Sequence, residues 1–226
     1  MIDAPARLTS LDAFRGFTIA AMVLVNNPGD WGHLHAQLAH AAWHGWTFTD
    51  TIFPFFLFIG GVAMALSLGR LAAAGADRPQ LLIKLAKRAA LIFLIGFLLN
   101  LIPRFDWGSV RIPGVLQRIA LCTLVAAPLV VYLRWRGQAL AIFLLLALYS
   151  VLMLLVPVPG IGAGVLEPGQ DFGAWIDRAL MDGHLWAQAK TWDPEGLVST
   201  LPAVCSLLFG VLAGRLLLST LPRVEQ

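Results

Sequence analysis

Four of the five histidines, His33, His35, His40 and His44, crowd into one stretch of the chain, Asn26 to Phe56. The same stretch carries Asn26, Asn27, Asp30 and Asp50, with Trp31, Trp43 and Trp46 among them, and it contains no Lys or Arg. An imidazole titrating near neutral pH is the usual proton acceptor for activating an amine or a hydroxyl. Such a base needs an orienting partner, and Asp50, ten residues beyond His40 at the mouth of the second helix, could supply one. An amide such as Asn26 could donate to a developing oxyanion. Two other readings stand beside this one. The His33-x-His35 and His40-x-x-x-His44 spacings can converge on a metal. However, a HExxH glutamate and a nearby cysteine are missing, and no metal is expected. The remaining alternative is an interfacial histidine cluster without chemistry, with Asn26 as a helix cap before Pro28-Gly29.

A second set of candidates is cationic. Arg111, Gln117 and Arg118 cluster around Pro113 and Gly114, and Arg15 stands three residues from Asp12, on one helix face with it. Guanidinium groups beside a membrane span face protein or a cavity rather than lipid, and they suit phosphate. Snorkelling, or pairing of Arg111 or Arg118 with Asp106, is the structural alternative.

The elements that must position these residues are membrane spans. Of the 226 residues 58% are hydrophobic and 13% charged, with a mean hydropathy of +0.77. The charge-free runs 51–69, 89–103, 119–133, 139–157 and 197–214 approach or reach the length that crosses a hydrocarbon core of about 30 Å. A weaker first span ends with Phe17–Val25. The expected fold is all-α: a polytopic transmembrane bundle of about six spans. Pro54 is expected near the start of the second span, with Gly60 and Gly61 allowing close helix approach. Residues 158–195 break the pattern, with a short amphipathic helix around Trp175 and Trp186. Asp193 and Glu195 are expected at the N-terminus of the last helix.

Basic residues orient the bundle. With the N-terminus cytoplasmic, Arg7, Arg15, Arg70, Arg78, Lys84, Lys87, Arg88, Arg134, Arg136, Arg215 and Arg223 fall on the inner side. Arg104, Arg111, Arg178 and Lys190 fall outside, with Arg118 just within the fourth helix. The histidine stretch therefore faces outward. The N-terminus is too polar for a cleavable signal peptide. Cys122 and Cys205 fall inside spans as free thiols. The net charge of +3 informs only through its distribution, and no nucleic-acid partner is expected.

Four blocks carry a resemblance. RLTSLDAFRGFTIAAMVLVNNPGDW, HAAWHGWTFTDTIFPFFLFIGGVAMALS, VRIPGVLQRIA and WDPEGLVSTLPAV occur in that order between Arg7 and about Arg215. Together they resemble the transmembrane heparan-α-glucosaminide N-acetyltransferase family and its bacterial relatives. The resemblance implies an enzyme that moves acetyl from cytoplasmic acetyl-CoA to the amine of a glucosamine-type sugar on the outer side. It implies His40 as the catalytic histidine, Asn26 and Asp50 as its active-site partners, and Arg15, Arg111 and Arg118 along the path of acetyl-CoA. The expected location is a bacterial inner membrane. Residues 1–226 are read as one acyltransferase-like domain. Family members usually continue with further spans, so the chain is expected to be the N-terminal portion of a larger bundle. Its expected partners are the saccharide acceptor, the lipid bilayer, and either further copies of itself or a complementing membrane chain. The rival readings are a transporter or flippase-like protein and an inactive or split acyltransferase subunit.

Overall fold

A computed structural model describes residues 8–73 and 75–220 of the chain, and the regular elements among those residues are helices joined by substantial loops. Arg7 and Arg223, counted above on the inner side, lie outside the described residues, as does the side chain of Arg70. The helices in chain order are α1 (Thr9–Asn26), α2 (Phe48–Ala73), α3 (Arg78–Leu101), α4 (Val115–Tyr132), α5 (Trp135–Leu154), α6 (Phe172–Met181) and α7 (Thr200–Thr220). A short 3-10 turn, Ala36–Leu38, lies between α1 and α2. Among the described residues, four helical segments are long and apolar enough to cross a membrane: Phe48–Leu68, Val115–Tyr132, Trp135–Leu154 and Thr200–Ser219. The sequence pattern suggests about six spans. α1 and α3 have the length, at 18 and 24 residues, but keep charge inside them. Asp12 and Arg15 lie in α1, and Lys84, Lys87 and Arg88 in the first half of α3.

The chain divides into two compact units, one drawn from Met1–Leu71 and Ser206–Gln226, the other from Ala72–Cys205. In the first, α1 turns a stripe of Thr18, Ala21 and Val25 inward, the i, i+3, i+7 spacing of one helix face. Ala21 and Val25 meet Ile52 of α2, with Met22, Leu38 and Phe48 packed around them. Phe14 and Phe17 of α1 reach the rings of Phe55 and Phe48, at centroid distances of 5.4 and 6.3 Å.

Small residues set the contact between α2 and the part of α7 in this unit. A Cβ on Gly61 would stand 1.9 Å from Leu207 O, and one on Gly210 would stand 2.0 Å from Phe58 O. Gly214, four residues on, lies against Val62 and Ala65. This is the small-xxx-small packing by which apolar helices bring their backbones together. Gly60, expected to share that role, meets nothing within 4 Å.

In the second unit α3 packs on α4, where Gly96 leaves room for Gln117 and Leu116. Asn100 ties the connecting loop, its Nδ2 donating to Arg111 O at 2.9 Å and to Pro113 O at 3.3 Å. Gln138, fully buried, donates from Nε2 to Leu133 O at 3.1 Å and so satisfies a carbonyl just past the end of α4. α5 exposes Leu140, Phe143, Leu144, Leu148 and Val151. Its backbone polar groups are satisfied within the helix, and an apolar exterior of this kind suits lipid. Asp171 caps the amphipathic α6 by accepting from Ala174 N–H at 3.0 Å.

Two boundaries differ from expectation. α2 begins at Phe48, so Pro54 lies inside the helix rather than at its start. Its missing N–H leaves the Asp50 carbonyl without a helical donor. α7 begins at Thr200, so Asp193 and Glu195 precede it and do not lie at its N-terminus. They are held by an arginine instead.

Candidate active site

The residues around His40 are organised by the start of α2. Thr47 precedes the helix and Asp50 is its third residue, the T-x-x-D pattern in which a carboxylate reaches back to the backbone at the helix entry. Thr47 N–H donates to Asp50 Oδ2 at 2.8 Å, and Ala41 N–H donates to the same oxygen at 3.2 Å. The other oxygen, Oδ1, lies 2.6 Å from His40 Nδ1. The Thr47 hydroxyl, 3.1 Å from Asp50 Oδ2, gives its single proton to the nearer Ala39 O at 2.6 Å. Gln37 completes the fold of the loop, its Oε1 accepting from Phe48 N–H at 3.1 Å and its backbone oxygen from Thr49 Oγ1 at 3.2 Å.

This arrangement sets the state of the imidazole. A carboxylate at Nδ1 favours the tautomer with the proton there, leaving the Nε2 lone pair as the available base. His40 Nε2 has no protein partner among the described residues, and the His40 side chain is 71% exposed against 28% for Asp50. The geometry is that of an oriented imidazole open on its basic side.

Asn26 is not drawn into this group. It is the last residue of α1, and one of its amide protons goes to Met22 O at 2.9 Å, one turn back on its own helix. Asn27 does the same to Val23 O. His33 and His35 find separate partners. His33 Nδ1 meets Asp30 Oδ2 at 2.5 Å in an exposed turn. That hydrogen bond, with a second from Gly32 N–H, holds the Asp30 carboxyl below the usual carboxylate range. His35 Nδ1 accepts from Gln37 N–H at 3.3 Å. Among the described residues no three His, Cys, Asp or Glu side chains are gathered as metal ligands.

Arg15 pairs with Asp12 at 3.6 Å along α1, as their spacing suggests, and both remain partly exposed. In the second unit, the Arg111 guanidinium is gripped by acids. Its Nε donates to Asp193 Oδ2 at 2.8 Å, and Nη2 donates to Asp193 Oδ1 at 2.5 Å and also to Glu195 Oε2. Burial works against the Arg111 charge, but the hydrogen bond and charge of Asp193, joined by Glu195, outweigh it and raise its pKa. Asp106 is not its partner and accepts instead from Ser109 Oγ and Gly108 N–H.

Arg118 is buried, and its Nη2 donates to Gly196 O at 3.1 Å and to Ser199 Oγ. Its Nε lacks a partner among the described residues. Beside the same turn, Asp177 accepts from Leu197 N–H at 2.9 Å, and burial lifts its carboxyl to about 6. A Cβ at position 196 would come within 2.0 Å of Asp177 Oδ2, so the close approach requires Gly196. The fifth histidine, His184, lies 2.8 Å from Val110 O through Nδ1 and closes the same loop.

Thr47, Gln37 and Asp177 had not been singled out in the sequence. For Thr47 a signal was present, the T-x-x-D pattern directly before an apolar run. For Gln37 and Asp177 there was none, because their bonds run to backbone atoms 11 and 20 residues away.

Comparison with known proteins adds an independent line. A family model described as heparan-alpha-glucosaminide N-acetyltransferase, catalytic, matches residues 7–224. A Homo sapiens protein named heparan-alpha-glucosaminide N-acetyltransferase is 33% identical over 262 aligned positions, which cover 95% of this chain and 39% of the relative. The Mus musculus protein of the same name is 30% identical, covering 93% of the chain and again 39% of the relative. The chain thus spans about two fifths of the length of these relatives.

Proposed function

The chain belongs to the heparan-alpha-glucosaminide N-acetyltransferase catalytic family, and on that premise we propose that it is an integral-membrane acetyltransferase using acetyl-CoA as donor and a glucosamine-type amine as acceptor. The observation that carries this reading is the His40 Nδ1–Asp50 Oδ1 hydrogen bond of 2.6 Å, with Nε2 left open. In the proposed reaction Nε2 takes a proton from the acceptor amine as its nitrogen attacks the thioester carbonyl. The carbon–sulfur bond then breaks, and the imidazolium returns the proton to the departing thiolate, so the products are the acetamide and free CoA. Asp50 stabilises the imidazolium and keeps the ring in register. Asn26 uses one amide proton on Met22 O. Its second is the proposed donor to the oxyanion. The same open Nε2 also suits a ping-pong route through an acetyl-His40 intermediate.

Arg15, Arg111 and Arg118 are proposed separately as groups for the anionic donor. Arg15 offers the most accessible guanidinium. Arg111 would have to exchange a carboxylate for a phosphate, and Arg118 would use its spare Nε. The basic residues support a donor side facing the cytoplasm and an acceptor side facing outward, across a bacterial inner membrane.

The test is acetyl transfer from radiolabelled acetyl-CoA to glucosamine by the chain in lipid vesicles. His40→Ala is expected to lower turnover at least a hundredfold, the usual scale of a positioned base. Wild-type turnover in that variant, or no transfer by the unaltered chain, overturns the assignment.

A further inference from the structure

Between α1 and α2 the bulky apolar side chains Leu38 and Phe48 pack down onto the Ala21–Val25–Ile52 core. Trp46 does not. It is 73% exposed, yet the backbone that carries it is firmly held. Thr47, the next residue, donates its N–H to Asp50 at 2.8 Å and its hydroxyl to Ala39 O at 2.6 Å. Gly45, the residue before, takes a φ of +101°, a conformation that favours glycine.

The Thr47–Ala39 bond joins the residue after Trp46 to the residue before His40. Indole and imidazole therefore issue from two backbone stretches clasped together. The formal charges of the whole Asn26–Phe56 stretch are Asp30 and Asp50 alone, both acidic. The stretch thus pairs an exposed indole with formal charges that are all acidic, and it holds no Lys or Arg to repel a cation. A protonated amino sugar matches both features, since its ammonium is a cation suited to an indole face and its ring presents C–H bonds.

We propose that Trp46 is the platform on which the acceptor rests, stacking the ammonium-bearing pyranose ring as it arrives; the ammonium gives one proton to solvent, and the neutral amine is then presented to His40. The proposal rests on the reading of the acceptor as an amino sugar. It goes further by assigning the residue that selects for the cationic ring.

Titration of glucosamine and N-acetylglucosamine against the chain in lipid nanodiscs, by calorimetry, tests it. The wild type is expected to bind the cationic sugar more tightly than its neutral acetylated counterpart. Trp46→Ala is expected to raise the glucosamine Kd about tenfold and to erase that preference, while Trp46→Phe keeps part of it. Unchanged glucosamine affinity in Trp46→Ala would mean an interfacial anchor and overturns the proposal. A wild type that binds neither sugar, or both equally, overturns it too. Acetyl transfer and its dependence on His40 are read separately, so failure of the catalytic assignment and failure of the platform give different results.

Discussion

Asp50 serves the helix and the imidazole at once, through different oxygens. Oδ2 accepts from Thr47 and Ala41 N–H groups, and Oδ1 faces His40. Asp50→Asn separates the two. The amide can keep an oxygen toward the backbone donors, so the helix start should lose only about 1 kcal/mol, the scale of one hydrogen bond. Toward His40 it no longer carries charge, so it neither fixes the Nδ1–H tautomer nor stabilises an imidazolium. The expected result is a fall in kcat of a hundredfold or more, with a thermal midpoint within a few degrees of wild type. A kcat within threefold of wild type would leave Asp50 as a helix residue alone. The sequence offered Asp50 as a residue that could orient a histidine, one reading among three, and the contact itself is seen only in the fold, where a helix start fixes Asp50 and a short loop brings His40 back to it. The place of Asn26 at the end of the first helix was also foreseen, but the partner of its side chain was not. A side-chain amide at a helix end chooses between a distant partner and a carbonyl one turn behind, and Met22 O wins.

Helix existence followed from charge-free runs, but the identity of the contacting faces did not. Gly60 and Gly61 are indistinguishable in the sequence, and their surroundings are opposite. A methyl group at 60 meets nothing within 4 Å, whereas at 61 it would strike backbone at 1.9 Å. Replacing Gly by Ala inside a helix gains about 1 kcal/mol of propensity, and overpacking costs about 1–3 kcal/mol or more. The first effect should win at 60 and the second at 61. Gly60→Ala is expected to hold or raise the melting temperature in detergent. Gly61→Ala should lower it by several degrees, and Gly210→Ala should do the same against Phe58 O. Equal melting of the 60 and 61 variants would contradict the packing of α2 on α7. The shifted start of α7 has a related cause. Asp193 and Glu195 look like helix N-terminal acids by position, but a bidentate Arg111 is a stronger partner than a helix dipole worth about 0.3–1 kcal/mol.

At the scale of the molecule, composition declares the solvent, and the distribution of charge is the basis on which a side is proposed. Exposed Leu, Phe and Val side chains along α5 suit lipid, and most of the 16 basic residues fall in segments assigned to the cytoplasm. The number of crossings was harder to read, since α1 and α3 carry charges that hydropathy counts against them, whether those charges sit at a lipid interface or pair within a helix. Sidedness can be measured directly because the native thiols are silent: Cys122 and Cys205 are free and almost completely buried. Ala36, in the loop of His40, and Gln80, at the start of α3, are both exposed. Introduced singly, Ala36→Cys should react with a membrane-impermeant maleimide on intact spheroplasts, and Gln80→Cys only after permeabilisation. Each substitution reports on its own segment. Labelling of Ala36→Cys only after permeabilisation would place His40 on the side of the donor, and acetyl transfer would then not need to cross the membrane at all.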